Sequence, residues 1–180
     1  MEFINTKISD VVLIKPTIFE DTRGSFMETY HFNKYSKFDI DLSFVQDNHV
    51  KSYKNVLRGL HFQNQFPQAK LLRCIKGKIF DVAVDLRKKS PSFASWIGVE
   101  LSEQNQEMLF IPEGFAHGYY VMSDSAEVVY KCSQIYYSND QYSLQWNDPD
   151  LGIKWPCNNP ILSKKDEFAL SLNELKIKLK

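Results

Sequence analysis

Residues 79–86 alternate with period two: Phe80, Val82, Val84 and Leu86 share one parity, and Asp81, Ala83 and Asp85 the other. That alternation predicts a half-buried strand, because successive side chains on extended backbone point to opposite faces. Short apolar segments of the same kind recur at residues 11–14, 43–51, 56–62, 71–75, 96–101, 108–111, 118–122 and 127–137. Turn residues punctuate them at Lys76-Gly77, Ser90-Pro91-Ser92 and Pro112-Glu113-Gly114. Helical spacing is confined to residues 31–38 and to the tail, where Phe168, Leu172, Leu175 and Leu179 recur every three to four positions. Many short strands with few helices predict a β-sandwich or barrel. With no long repeat and no low-complexity linker to cut at, residues 1–180 read as one domain.

Charge narrows the choice of partner. The 22 Lys and Arg balance the 22 Asp and Glu, so no excess of cations exists to displace counterions from nucleic acid or to coat an anionic membrane. Neither partner is expected, and any bound anion has to be held locally. Cys74, Cys132 and Cys157 are odd in number and lack Cys-x-x-Cys spacing, which predicts free thiols in a reducing cytoplasm. The start, Met1-Glu2-Phe3-Ile4-Asn5, does not lead from a basic stretch into an apolar run, and no segment is long and apolar enough to span a bilayer.

The densest polar constellation is Leu57-Arg58-Gly59-Leu60-His61-Phe62-Gln63, followed by Pro67-Gln68-Ala69-Lys70. On an ideal strand Arg58 and His61 point to opposite faces; a bulge at Gly59 brings them to one side. A histidine among apolar neighbours is often only a satisfied core residue. In Ile111-Pro112-Glu113-Gly114-Phe115-Ala116-His117-Gly118 the histidine is either a surface turn residue or part of a site. On the strand over 127–137, Tyr130, Cys132, Gln134 and Tyr136 share a face, and a straight strand separates the two phenols by about 20 Å. Tyrosines on an inner face are commonly core residues with bonded hydroxyls. Gln46 and Asn48 project together from a strand and suit a base or sugar. Arg23-Gly24-Ser25-Phe26-Met27-Glu28 reads as a turn entering a strand, and Ser163-Lys164-Lys165-Asp166 as a solvated charge run.

His31, His49, His61 and His117 form neither a His-x-His pair nor a His-Glu-x-x-His motif, so no catalytic metal is expected. No Gly-x-Ser-x-Gly elbow announces a serine nucleophile.

Taken in order, Arg23–Glu28, the segment Phe44-Val45-Gln46-Asp47-Asn48, the Arg58–Gln63 constellation, Phe80-Asp81-Val82-Ala83-Val84-Asp85, the His117 segment, Trp146-Asn147-Asp148-Pro149 and Leu162-Ser163-Lys164-Lys165-Asp166 resemble the dTDP-4-dehydrorhamnose 3,5-epimerase family over about residues 10–170. The resemblance implies a cupin-type jelly-roll β-barrel with short flanking helices and a homodimer. It also implies no metal or organic cofactor, and dTDP-4-dehydro-6-deoxy-D-glucose, a dTDP-linked 4-keto-6-deoxy sugar, as substrate. By the same resemblance His61 is the general base, Asp166 its orienting carboxylate, Tyr130 the proton donor and Lys70 the cation beside the C4 carbonyl. Arg23, Phe26, Glu28, Gln46, Asn48, Arg58, His117 and Lys165 match substrate-contacting positions, and Tyr136 the residue that stacks on thymine. The sequence departs from the family at Gln141, where many members carry Glu, and at Ser138-Asn139-Asp140, which lacks the usual Ala-Pro. The competing expectations are a single-carbon epimerase of another nucleotide-linked 4-keto sugar and a noncatalytic carbohydrate-binding jelly roll.

Overall fold

In the computed structural model, which describes residues 1–179, thirteen strands carry the architecture. They are β1 (Glu2–Asn5), β2 (Val12–Lys15), β3 (Ile18–Asp21), β4 (Gly24–Met27), β5 (Gln46–Tyr53), β6 (Leu57–Gln63) and β7 (Lys70–Lys76). There follow β8 (Lys78–Asp85), β9 (Trp96–Ser102), β10 (Met108–Ile111), β11 (Phe115–Val121), β12 (Ser125–Cys132) and β13 (Gln141–Ser143). Short helices are α1 (Phe32–Tyr35), α2 (Lys164–Glu167) and α3 (Leu172–Lys178), and no described helix is long and apolar enough to cross a membrane.

Antiparallel ladders order one sheet β1-β2-β10-β7-β12-β5 and a second β13-β6-β11-β8-β9. The fold is all-β, as expected, but the two ladders remain separate sheets and do not close into one barrel. Between them lies a core to which both contribute: Leu72, Cys74, Leu109 and Val128 from one sheet meet Ile79, Ala83, Ile97, Phe115 and Val121 from the other. Burial of such side chains is worth about 1.5–3 kcal/mol each before ordering costs are subtracted.

The backs of the sheets are covered as well, and this corrects the half-buried reading of residues 79–86. Val82, Val84 and Leu86 pack beneath Leu144, Leu172, Leu175 and Leu179 of the C-terminal segment, while Ile79 and Ala83 face the inner core. Asp81 and Asp85 are therefore fully buried too. The capping box of Ser171 and Glu174 fixes the start of α3, which presents Leu172 and Leu175 to the sheet. Phe168 is not part of that stripe; it lies outside α3 and is 82% exposed. On the other sheet, Tyr35 and Ile40 close over Val12, Ile14, Leu71 and Phe110.

β12 stops at Cys132 rather than running to Tyr137. Cys132 pairs with Gln46 and Lys70, the first residues of β5 and β7, so beyond it no strand remains on either side to continue the ladder.

Two glycines allow β6 and β11 to touch. Gly59 sits at φ 110°, where a Cβ would come within 2.6 Å of the Gly118 Cα, and a Cβ on Gly118 would lie 2.6 Å from the Arg58 carbonyl oxygen. Across this contact His117 pairs with His61 and Tyr119 with Arg58, so two steps along β11 match three along β6. That bulge aims both Arg58 and His61 inward.

Candidate active site

One end of the space between the sheets is open and forms a cavity of about 330 Å³. Gln46 and Asn48 of β5, Lys70 of β7 and Tyr130 of β12 line one wall; Arg58 and His61 of β6 and His117 of β11 line the other. Tyr136 and Gln141 complete the rim. The two phenols reach one cavity because the chain turns after Cys132.

His61 Nε2 is 2.6 Å from Asp166 Oδ1. Ser163 caps α2, its Oγ accepting from the Asp166 N–H and donating to Asp166 Oδ2 at 2.9 Å. The supposed solvated charge run is therefore a helical turn that buries Asp166 against His61. Burial by itself would raise the Asp166 pKa; the hydrogen bonds from His61, Ser163 and the Gly59 N–H outweigh it and hold the carboxyl below its usual range. With Asp166 ionised, Nε2 is the ring nitrogen that donates to it, so Nδ1 is the nitrogen that a neutral ring offers as acceptor.

A second imidazole–carboxylate pair lies alongside: His117 Nε2 is 2.8 Å from Oδ2 of the fully buried Asp81. Asp81 Oδ1 has no hydrogen-bond partner among the described residues. Burial raises the Asp81 pKa, against the opposing influence of His117 and Lys70. Lys70 is largely buried, and its ammonium makes no hydrogen bond or ion pair among the described residues. Desolvation pulls its pKa down, while Cys132 and Asp81 act in the opposite direction. Burial also pushes the Tyr130 phenol up to about 12, so it keeps its proton throughout the physiological range.

The two amides are already ordered. Tyr136 N–H donates to Gln46 Oε1 at 2.8 Å, Gln46 Nε2 to Asn48 Oδ1 at 3.0 Å, and Asn48 Nδ2 to Cys132 Sγ at 3.6 Å. Tyr136 and Lys165 meet at Gln141 Oε1.

Arg23, Phe26 and Glu28 are not brought to this cavity within the chain. Arg23 is bound to Asp21 in its own hairpin and Glu28 to Lys34, and Phe26 is 68% exposed. Sequence reasoning missed Gln68, Tyr119 and Cys132 as wall residues and Asp81 as the partner of His117. A carboxylate in the middle of a long apolar run was the available signal for Asp81, since an unpaired charge is rarely tolerated there.

An imidazole held by a carboxylate, a phenol that keeps its proton and an unneutralised ammonium around one cavity define a site for moving protons beside a polarised carbonyl. The family profile described as dTDP-4-dehydrorhamnose 3,5-epimerase matches residues 5–174. A dTDP-4-dehydrorhamnose 3,5-epimerase of Escherichia coli K12 is 48% identical, with 100% of this chain and 98% of that protein covered. One from Neisseria gonorrhoeae is 51% identical over 92% of this chain, which spans about half (51%) of that relative's length. The crystal structure of dTDP-6-deoxy-D-glucose-3,5-epimerase from Legionella pneumophila Philadelphia 1, in complex with dTDP-4-keto-L-rhamnose, superposes with a TM-score of 0.95 at 44% identity, covering 98% of this chain and 95% of that one. The chain belongs to the dTDP-4-dehydrorhamnose 3,5-epimerase family.

Proposed function

We propose that the protein inverts C3 and C5 of dTDP-4-dehydro-6-deoxy-D-glucose, giving dTDP-4-dehydro-L-rhamnose. The observation that carries this reading is the ammonium of the largely buried Lys70, without a hydrogen-bonding or ion-pair partner among the described residues, in the same cavity as His61, held by Asp166, and Tyr130. His61 removes the proton beside the ketone, and Asp166 stabilises the resulting imidazolium. Negative charge then develops on the C4 oxygen, where Lys70 favours the enolate over the neutral ketone. Tyr130 returns a proton to the opposite face of the carbon. The ketone is the electron sink and no redox change occurs, so the step requires no cofactor. His117, oriented by Asp81, borders the sugar; Tyr136 stacks on the base; Gln46 and Asn48 bind polar groups, and Arg58 and Lys165 face the diphosphate.

Arg23, Phe26 and Glu28 enter this reading through a second copy of the chain. Among the described residues β3 and β4 pair only with each other, and they expose Ile18, Phe19 and Phe26. A two-stranded ribbon with an apolar surface is marginal by itself, which supports a homodimer in which each hairpin seats against its partner and delivers these residues to the neighbouring cavity. The unit acts as one domain in the cytoplasm, where its three free thiols stay reduced, and uses neither nucleic acid nor a membrane.

The test is incubation with the dTDP-linked 4-keto sugar in deuterated water, followed by NMR at both carbons. Deuterium at C3 and C5 with inverted product is the expected result. Exchange at one carbon only identifies a single-carbon epimerase, and no exchange identifies a binder.

A further inference from the structure

Gln141 is a three-way junction at the mouth of the cavity. Its Oε1 accepts the Tyr136 hydroxyl at 2.8 Å and the Lys165 ammonium at 2.6 Å. Both lone pairs of the amide oxygen are thus used. Tyr136 is fixed at its backbone as well, through Gln46.

The acceptor is neutral, and that has an electrostatic consequence. Lys34, Lys54, Lys78 and Lys131 are each paired with a carboxylate. Lys165 makes no such pair among the described residues. Arg58, on the wall of the same cavity, is also anchored by neutral oxygens, Ser52 Oγ at 2.8 Å and the Lys51 carbonyl at 3.4 Å. Arg58 on the cavity wall and Lys165 beside Gln141 are therefore both held by neutral oxygens, with no carboxylate partner among the described residues.

We propose that Gln141 sets this chain's affinity for the anionic end of its ligand, holding Lys165 and the Tyr136 ring in place without cancelling the lysine's charge, which is left to a nucleoside diphosphate. This rests on the nucleotide-sugar reading. Glutamate at the same position has the same shape but turns the Lys165 contact into an ion pair and adds a charge that repels a diphosphate.

The experiment is calorimetric titration of dTDP into wild type, Gln141→Glu, Lys165→Ala and the double variant, from about 0.02 to about 0.5 M salt. Gln141→Glu is expected to weaken dTDP binding about five- to tenfold at the lowest salt, and the gap should close as the Debye length falls toward a few ångströms. Lys165→Ala should cost affinity in wild type and less in the Gln141→Glu background. Equal affinities at low salt, or a loss that persists unchanged at high salt, overturn the role of Gln141 while wild-type dTDP binding leaves the nucleotide reading standing. Absence of dTDP binding to wild type overturns that reading and this inference with it.

Discussion

His61 and Asp166 are 105 positions apart in the chain and 2.6 Å apart in space. One sits on a bulged strand and the other in a single capped helical turn, so the pair exists only because residues 161–170 return to the five-stranded sheet. Bridges of Val56 with Ile161 and of Leu144 with Leu170 bracket that return. His61→Ala should lower kcat roughly 10²- to 10⁴-fold, the range for loss of a general base, in steady-state assays of epimerisation. Near-normal turnover would remove His61 from the mechanism.

The same pair has a signature in acid stability. Because Asp166 is held below its ordinary value of 3.8 in the folded protein, its contribution is fully present above that value and is lost as pH falls through the lower, folded one. Denaturant unfolding of wild type and Asp166→Asn should therefore differ most near neutrality and converge toward acid pH. A difference that grows on acidification would contradict this sign.

Lys70 trades stability for chemistry. Its depressed pKa means that the folded state resists the proton, a cost fully present below the folded pKa and relieved as pH rises toward the ordinary value. Lys70→Met should raise Tm while lowering kcat on the order of 10²- to 10³-fold, as for an oxyanion donor. Wild-type activity should fall as alkali deprotonates Lys70, and Asp81→Asn should move that basic limb to lower pH by removing a neighbouring negative charge. A rise in KM alone for Lys70→Met would make the lysine a ground-state binder.

Burial pushes the Tyr130 phenol up to about 12, so at neutral pH it stands protonated and ready to donate. In Tyr130→Phe, deuterium should still enter the substrate at C5 with retained configuration, while inverted product falls. Joint loss of exchange and product would place the acid elsewhere.

The Gly59–Gly118 contact should resist even one methyl group. Gly118→Ala puts a carbon 2.6 Å from the Arg58 carbonyl oxygen, so β6 and β11 must separate; about 1–3 kcal/mol of destabilisation is expected in urea unfolding. An unchanged midpoint would show that the strands can part at no cost.

Phe19→Ser with Phe26→Ser should shift sedimentation toward monomer and reduce turnover, and mixing with a His61→Ala protein should restore part of the activity if hairpins cross between copies. Unaltered sedimentation and turnover would confine the hairpin to its own subunit.

Local pattern alone specified much of this protein. Period-two alternation located most of the strands, because sheet geometry is written into successive side chains; Gly59 marked the bulge that aligns Arg58 with His61, and parity put Gln46 and Asn48 on one wall. The site chemistry became legible only when motifs distant in the chain were taken together as a family resemblance. What parity could not decide was which side of a strand is inside. Asp81 faces the interior because the C-terminal segment covers the back of its sheet, a contact invisible to any window centred on residue 81. Likewise Tyr136 joins Tyr130 at one cavity because β12 runs out of partners at Cys132. Strand ends, buried charges and the meeting of His61 with Asp166 depend on long-range packing, and only the tertiary structure could settle them.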